Sequence, residues 1–193
     1  MTSTKLNFKI QKGSTFNEVL RWESDTKVYT PIVNIAKAAP MVVTANAHNI
    51  PVGWRVKISN ATGMKEVNSP EYLTVTATTL NTLVFNSVNA ISYTPYVSNG
   101  ILEYNKPASL EGYTACMQIR EKVTSDDVII ELTNENGGII IDSNNMTITI
   151  NISAAETSGF TFKTAVYSLD LIKGNVVVPF IHGSITLDTK VTR

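Results

Sequence analysis

The chain has 193 residues, a hydrophobic content of 43%, and 16 basic side chains balanced by 16 acidic ones. This balance gives no cationic surface for a nucleic acid backbone, so we expect no nucleic acid binding. Apolar runs such as 176–181 are far shorter than the roughly 20 residues of a membrane helix, so we expect no membrane insertion. The N-terminal segment lacks the apolar stretch of a signal peptide, so we expect a protein made in the cytoplasm.

Alternation of apolar and polar residues with a period of two predicts β-strands along the whole chain. In chain order, the alternating segments are 54–59, 73–78, 113–120, 146–152 and 167–171. Only 153–158 predicts a helical turn, in which Ser153 and Glu156 have the spacing of a capping box and Gly159 ends the turn. The sequence therefore predicts an all-β fold.

Glycine-containing turns separate several of these strands. Residues 136–138, Asn-Gly-Gly, predict a hairpin between strands at 128–132 and 139–142, because glycine adopts the positive φ of tight turns. Residues 173–175, Lys-Gly-Asn, predict another hairpin in the same way. Pro179 follows that turn and has no backbone N–H, so its strand is either an edge strand or bulged there.

The middle of the chain differs in composition from its flanks. Residues 38–104 contain most of the prolines and nearly all of the short Asn-rich turns. Their strands are short and closely spaced, as in a small barrel. We therefore expect an inserted small β-barrel domain at 38–104 and a β-sandwich domain split into 1–37 and 105–193. Such an insertion is tolerated because the entropy of loop closure grows slowly with loop length.

A distinctive series of residues runs through both flanking segments. It consists of Gly13, Thr15, Phe16, Pro107, Leu110, Gly112, Tyr113, Thr114, Ala115, Ile119, Arg120, Ala165, Val166, Tyr167, Gly183, Val191, Thr192 and Arg193. In order and spacing this series resembles small β-sandwich proteins of tailed bacteriophages, which occur alone or as attachment modules of tail and baseplate components. The resemblance implies an immunoglobulin-like antiparallel sandwich and a structural role in a virion.

The inserted segment has its own resemblance. Residues 42–68 and 72–90 alternate short strands with Asn-rich turns. They resemble a small β-barrel module named after the first catalytic-cysteine half-domain of ubiquitin-activating enzymes. Because 38–104 contains no cysteine, the resemblance implies only the fold of that module and not its catalytic chemistry.

No group of residues has the spacing of a metal site. His48 and His182 are the only histidines, and neither HxH nor HExxH occurs. Residues 142–146 begin like a calcium loop, but Met146 stands at the fifth position and no glycine follows it, so they predict a hairpin turn. The single Cys116 has no basic neighbour and is expected to pack as a small hydrophobic or surface residue.

The sequence also offers no catalytic arrangement. Ser184 and His182 alternate on one strand and do not form a nucleophile elbow. A glycosidase site needs two carboxylates about 5 to 10 Å apart. No sequence pattern places any two of the candidate glutamates at that distance, the candidates being Glu18, Glu23, Glu103 and Glu111. We therefore expect a protein that is not an enzyme and has no cofactor.

Arg120 is the charged end of an apolar strand. One interpretation pairs it with the carboxylate of Asp126 or Asp127, and an exposed pair of this kind contributes about 0 to 1 kcal/mol. The other interpretation is that Arg120 simply solvates the end of its strand.

The main functional hypothesis is a non-enzymatic structural component of a tailed phage virion. It would dock in multiple copies with other phage structural proteins at the neck, tail or baseplate, and form homo-oligomers there. Its predicted docking surfaces are strand edges, because unpaired backbone groups invite pairing with a neighbour. The residues assigned to them are Pro179, Lys190, Val191, Thr192 and Arg193.

An alternative hypothesis gives the inserted barrel a binding role. Host-binding modules often use exposed aromatic rings, and Tyr93 and Tyr96 form the best candidate patch. In that case the protein would be a host-glycan-binding or capsid decoration module. Both hypotheses place the protein in the virion after synthesis in the host cytoplasm.

Overall fold

The computed structural model describes residues 3–189. Strands hold 50% of the residues and helix 5%, so the fold is all-β, as the alternating sequence predicted. The first ten strands are β1 (Thr4–Lys5), β2 (Phe8–Gln11), β3 (Phe16–Leu20), β4 (Glu23–Pro31), β5 (Asn34–Ala36), β6 (Met41–Thr44), β7 (Arg55–Ser59), β8 (Leu73–Thr74), β9 (Ala77–Thr78) and β10 (Thr82–Phe85). The remaining strands are β11 (Ile101–Pro107), β12 (Thr114–Arg120), β13 (Ile130–Thr133), β14 (Ile139–Asp142), β15 (Thr147–Ile152), β16 (Thr164–Lys173) and β17 (Val176–Asp188).

Within residues 3–189, helical structure is confined to two short elements. A 3-10 turn covers Lys65–Val67, and the helix α1 covers Ala154–Gly159. Ser153 caps α1: its side chain accepts a hydrogen bond from the Glu156 N–H, and the Glu156 carboxylate accepts one from the Ser153 N–H. The predicted capping box is confirmed. Among residues 3–189, no helix is long and apolar enough to cross a membrane.

The chain divides into two compact units. The inserted unit is Trp22–Ala108, and the split unit consists of the described residues on either side of it, 3–21 and 109–189. The predicted insertion, 38–104, begins later than the unit seen in the structure. The difference arises because β4 pairs along β11 and β5 pairs with β6, so hydrogen bonds join both strands to the inserted unit.

The split unit contains two sheets and has a sandwich-like fold. The larger sheet has the order β1-β17-β16-β12-β13, with β2 also paired to β17, and the smaller has the order β14-β15-β3. β1 and β2 run parallel to β17, whereas the other neighbours are antiparallel. Both sheets bury alternate residues, such as Met117 and Leu169 in the larger and Ile148 and Ile150 in the smaller. The alternation of the sequence predicted this pattern.

Of the two hairpins predicted at glycine-containing turns, 173–175 and 136–138, one is confirmed and the other is wrong. Gly174 has a φ of +58° and joins β16 to β17 directly, with Lys173 opposite Val176, so this predicted hairpin is confirmed. The hairpin predicted at 136–138 is wrong. Gly137 does turn the chain with a φ of +75°, but β13 pairs with β12 while β14 pairs with β15 in the other sheet. The turn therefore carries the chain between sheets.

The inserted unit has two four-stranded sheets around one hydrophobic cluster. Their orders are β5-β6-β10-β9 and β4-β11-β7-β8. The cluster includes Trp54, which is 1% exposed and whose indole Nε1 donates to the Asn105 carbonyl oxygen at 2.9 Å. Leu83 and Phe85 of β10 are fully buried in the same cluster. A side chain as large as Trp54 is accommodated because its one polar atom has a hydrogen-bond partner.

Candidate functional site

The start of β17 is an open sheet edge. β16 pairs with one side of β17 along most of its length, whereas on the other side β1 pairs at Ile181 and His182 and β2 pairs from Ile185 onward. Within residues 3–189, the first three residues of β17, 176–178, therefore have a strand partner on one side only. Val176 and Val177 are 59% and 56% exposed there. An exposed apolar edge of this kind is suited to pairing with another chain.

Pro179 lies at the inner end of this edge. Leu169 pairs with Ile181 and Asp170 pairs with Pro179, so Phe180 is an extra residue in β17. The prediction of an edge or a bulge at Pro179 is confirmed, because both occur there. A proline is accommodated at such a position because the ladder does not require its missing N–H. The predicted role of Pro179 in docking stays a prediction.

The other predicted docking residues lie at the C-terminus. Lys190, Val191, Thr192 and Arg193 lie outside the described residues, so their assignment stays a prediction. The last described part of β17 is held by β2. The Lys12 N–H donates to the Asp188 carbonyl oxygen at 2.8 Å, and the Lys9 ammonium lies 2.7 Å from the Asp188 carboxylate.

Tyr93 and Tyr96 pack against the core of the inserted unit. Both rings are half-buried and contact its hydrophobic cluster. The Tyr96 hydroxyl donates to the Ile32 carbonyl oxygen at 2.9 Å and accepts from the Gly100 N–H at 3.1 Å. Tyr96 thus fastens its loop to the body of the unit. The pair does not form a platform of two fully exposed rings.

A charged face that the sequence analysis did not anticipate lies on the β4-β11-β7-β8 sheet. Arg55 binds the Glu23 carboxylate through Nε and Nη2, at 2.6 and 2.7 Å. The Lys27 ammonium binds the Glu103 carboxylate, which raises the pKa of Lys27 and lowers that of Glu103. Arg55 also lies over the ring of Tyr72, at 4.7 Å from its centroid. The Lys57 ammonium lies 4.6 Å from the same centroid, so this face carries three cations beside two carboxylates.

His48 is a buried structural residue. It is 3% exposed, its Nδ1 accepts from the Ile50 N–H at 3.0 Å, and its Nε2 lies 3.3 Å from the Thr82 carbonyl oxygen. These contacts require the neutral ring with its proton on Nε2. Burial disfavours the charged ring and lowers the pKa of His48. His48 lies in the connection between β6 and β7.

His182 and Ser184 do not form a catalytic pair. The Nδ1 of His182 lies 2.7 Å from the Ser3 hydroxyl, and the backbone N–H of Ser184 donates to the Asn7 side-chain oxygen at 3.0 Å. Cys116 is half-buried, and burial followed by the nearby carboxylate of Glu131 raises the pKa of its thiol. A raised pKa disfavours the nucleophilic thiolate.

The 142–146 segment forms a turn closed by its own aspartate. The Asp142 Oδ1 accepts from the N–H groups of Asn144 and Asn145, both at 2.9 Å, and Oδ2 accepts from the Asn145 side chain. These bonds lower the pKa of Asp142 and occupy both oxygens. The predicted hairpin turn is confirmed, since β14 pairs with β15 on either side of it. No cluster of three or more metal-ligating side chains occurs among residues 3–189.

Arg120 fixes the connection between β12 and β13. Its Nη1 donates to the carbonyl oxygens of Ser125 and Asp126, both at 2.7 Å, and its Nη2 donates to the Gln118 side-chain oxygen at 2.9 Å. The proposed pairing with the carboxylate of Asp126 or Asp127 is not seen. Backbone carbonyls replace the carboxylates because the chain curls back toward the end of β12.

A cleft of about 560 Å³ lies on the outer face of the larger sheet of the split unit. Side chains of β1, β17, β16 and β12 form its floor, and Val123 of the β12–β13 connection forms part of its wall. Its charged residues are Lys5 and Arg120, and no aspartate or glutamate lines it. No sequence pattern predicts this cleft, because its residues come from strands that are far apart in the chain.

No protein family matches the chain, and no curated protein is similar to it.

Proposed function

We propose that the chain is a non-enzymatic structural component of a tailed phage virion, docking in multiple copies at the neck, tail or baseplate. The observation that carries this proposal is the open edge of β17, where Val176 and Val177 are exposed beside backbone groups with no strand partner among the described residues. A neighbouring subunit would add a strand to this edge. The partners would be other structural proteins of the particle and further copies of the chain.

The residues that carry the phage resemblance support a scaffolding role. Gly13 and Gly112 have φ of +72° and +73° in turns, where glycine is strongly favoured. Leu110, Ala115 and Ile119 are each at most 3% exposed and pack inside the split unit. None of these five residues lines the cleft, and turn geometry or packing explains each of them, so this part of the resemblance concerns the scaffold.

A short edge is sufficient for docking when many copies assemble together. The free edge offers only a few backbone groups, and Pro179 limits its length, so one contact of this kind is weak. In a ring, each subunit is held near its neighbours, and a high effective concentration replaces individual affinity.

The test replaces Val176 and Val177 with lysine in the phage genome that encodes the chain. Charged side chains on an edge strand oppose pairing, so we expect purified virions to contain at most about a tenth of the normal amount of the protein. Leu80→Lys, at an exposed turn residue of the inserted unit, is the matched control and should leave the amount unchanged. Quantitative immunoblotting of virions measures the result.

Two results would overturn this proposal. If the wild-type chain is missing from purified virions, the structural role is wrong. If the double variant is incorporated as well as the wild type, the β17 edge is not the docking surface. The alternative role of the inserted unit in glycan binding or decoration has no comparable support, because Tyr93 and Tyr96 pack against the core.

A further inference from the structure

The cleft of the split unit is built from one row of polar side chains across four strands. Strand register places Gln118 beside Ser168, Ser168 beside His182, and His182 beside Lys5. Strands lie about 4.8 Å apart, so the row from Ser168 to Lys5 is about 10 Å long. Ser184 belongs to the adjacent row. The cleft therefore presents hydroxyl, imidazole and ammonium groups on one surface.

The charge of the cleft is positive. The ammonium of Lys5 forms no ion pair with any residue in 3–189, and Arg120 is held by carbonyl and amide oxygens that do not cancel its charge. Two carboxylates lie near the row: Glu131 accepts from the Gln118 Nε2 at 2.5 Å, and Asp170 follows Ser168 by two residues on the same face of β16. Both lie on strands that β17 separates from Lys5, because the strand order is β13, β12, β16, β17, β1. An anion is therefore favoured at the Lys5 end.

The surrounding groups select the kind of anion. The hydroxyls of Ser168 and Ser184 donate and accept hydrogen bonds, which matches a ligand rich in hydroxyl groups. Val123 and Val166 add a small apolar surface. A volume of about 560 Å³ is in the range of small-molecule sites. A sugar acid of one or two rings meets these requirements.

An acidic peptide fits the cleft less well. Extended peptides bind sheets mainly by adding a strand to an open edge. Beside the cleft, the edge of β17 is already occupied, since β1 pairs with it at His182 and the Leu6 N–H donates to the His182 carbonyl oxygen at 2.9 Å. Among the described residues only the two-residue β1 offers an open edge beside the cleft, so peptide binding would rely mainly on side chains.

We propose that this cleft binds an acidic sugar, with the sugar carboxylate at Lys5 and its hydroxyl groups at Ser168, His182 and Ser184. The site lies on the split unit, apart from the open edge of β17, and its ligand binding does not depend on assembly. A failure here would leave the proposed docking role intact, and the reverse also holds.

The test is isothermal titration calorimetry of the full chain with digalacturonate. We expect saturable binding, and about fivefold weaker binding of the neutral digalactose, because the neutral sugar cannot pair with Lys5. Lys5→Gln should weaken digalacturonate binding about fivefold, the upper range for one exposed ion pair. Lys65→Gln, an exposed lysine of the inserted unit, is the matched control and should leave it unchanged.

Further ligands decide between sources of the negative charge. Inorganic phosphate and tetraglutamate should each bind more weakly than digalacturonate. Equal or tighter binding of phosphate would reduce the cleft to a general anion site, and tighter binding of tetraglutamate would make its ligand a peptide. Either result overturns the proposal. So would the absence of saturable binding up to about 10 mM, or equal weakening by Lys5→Gln and Lys65→Gln.

Discussion

At the scale of single residues, Gly183 shows how one position links the two ends of the chain. A Cβ atom at Gly183 would lie 1.9 Å from the Leu6 carbonyl oxygen and 2.8 Å from the Leu6 carbonyl carbon. Both atoms belong to backbone that joins β1 to β2, so neither can move alone. The Tyr167 hydroxyl also donates to the Leu6 carbonyl oxygen at 2.7 Å. Only glycine lets the N-terminal segment pass this close to β17.

Gly183→Ala should therefore destabilise the split unit. We expect a loss of about 1–3 kcal/mol in the free energy of unfolding, because the backbone at Leu6 must shift and its bonds to His182 and Tyr167 weaken. Urea unfolding followed by circular dichroism measures the loss, and hydrogen exchange at the Leu6 amide locates it. Gly159→Ala is the control, since a Cβ there meets no atom within 4 Å. Equal effects of the two changes would contradict the interpretation.

His48 gives the inserted unit a pH-dependent stability. Its pKa is lowered from the ordinary 6.5 in the folded protein. The unfolded chain therefore takes up the proton first, and the stabilisation by neutral His48 is present above pH 6.5 and is lost as the pH falls through the folded-state pKa. The slope for one group is at most about 1.4 kcal/mol per pH unit.

The measurement is urea unfolding at about pH 7.5 and about pH 5, followed by tryptophan fluorescence. Trp22 and Trp54 are the only tryptophans and both belong to the inserted unit, so the signal reports on that unit. We expect a lower free energy of unfolding at the acidic pH in the wild type and a smaller change in His48→Gln. The same change in both proteins would rule out His48 as the cause.

At the scale of elements, the β12–β13 connection depends on the planar guanidinium of Arg120. Two hydrogen bonds from its Nη1 hold the segment after β12 against the sheet, and one from its Nη2 to Gln118 fixes the guanidinium on β12. A lysine keeps the charge but cannot reproduce the fixed fork of donors. Arg120→Lys should therefore loosen residues 121–129 without unfolding the sheet.

Hydrogen exchange followed by mass spectrometry checks this prediction. Amides in 121–129 should exchange about tenfold faster in Arg120→Lys, in line with the loss of one or two charge-assisted hydrogen bonds. Arg55→Lys, which replaces a bidentate arginine in the inserted unit, serves as control and should leave 121–129 unchanged. Unaltered exchange in Arg120→Lys would show that other contacts hold the connection.

Sequence patterns predicted the local structure of a segment more successfully than they predicted which strands pair with each other. The capping box of α1 and the β16–β17 hairpin depend on residues close together in the chain, so they were predictable. The Asn-Gly-Gly turn before β14 was predictable as a turn but not as a crossing between sheets. Its glycines permit the positive φ of either connection, and only the hydrogen-bond partners of β13 and β14 distinguish the two.

At the scale of the whole molecule, the inserted unit has the features of an independently folding domain. It is continuous in sequence and has its own hydrophobic cluster. The Ala108 N–H donates to the Trp22 carbonyl oxygen at 2.9 Å, so the two ends of the unit meet. A domain with adjacent ends can be inserted into a loop, or removed from it, with little strain on either part.

We expect residues 22–108 to fold when produced alone, whereas residues 38–104 should not. The shorter piece lacks β4 and β5, which leaves β11 unpaired on one side and removes Ile32 and Ile35 from the core. Cooperative urea unfolding monitored by Trp54 fluorescence distinguishes them. A cooperative transition for 38–104, or none for 22–108, would favour the boundaries predicted from sequence.

The candidate sites also differ in whether they depend on residues close together in the chain or on residues far apart in it. Pro179 and its bulge were predictable because a missing N–H is a property of one residue. The cleft was not, because Lys5, Gln118, Ser168 and His182 become neighbours only through strand register. Lys5 and His182 are far apart in the sequence, and no motif predicts that they are neighbours.

The sequence by itself determined that the protein is all-β and which faces of strands such as β7, β12 and β15 are buried. These properties depend on side-chain alternation and turn residues, which act over a few positions. In contrast, the strand predicted at 73–78 is two strands, β8 and β9, in different sheets. Only the tertiary structure decided that β4 belongs to the inserted unit, that β13 and β14 lie in different sheets, and that a cationic cleft forms beside β1. Strand pairing joins residues far apart in the chain, and many pairings satisfy the same local pattern, so the choice among them is made by packing of the whole molecule.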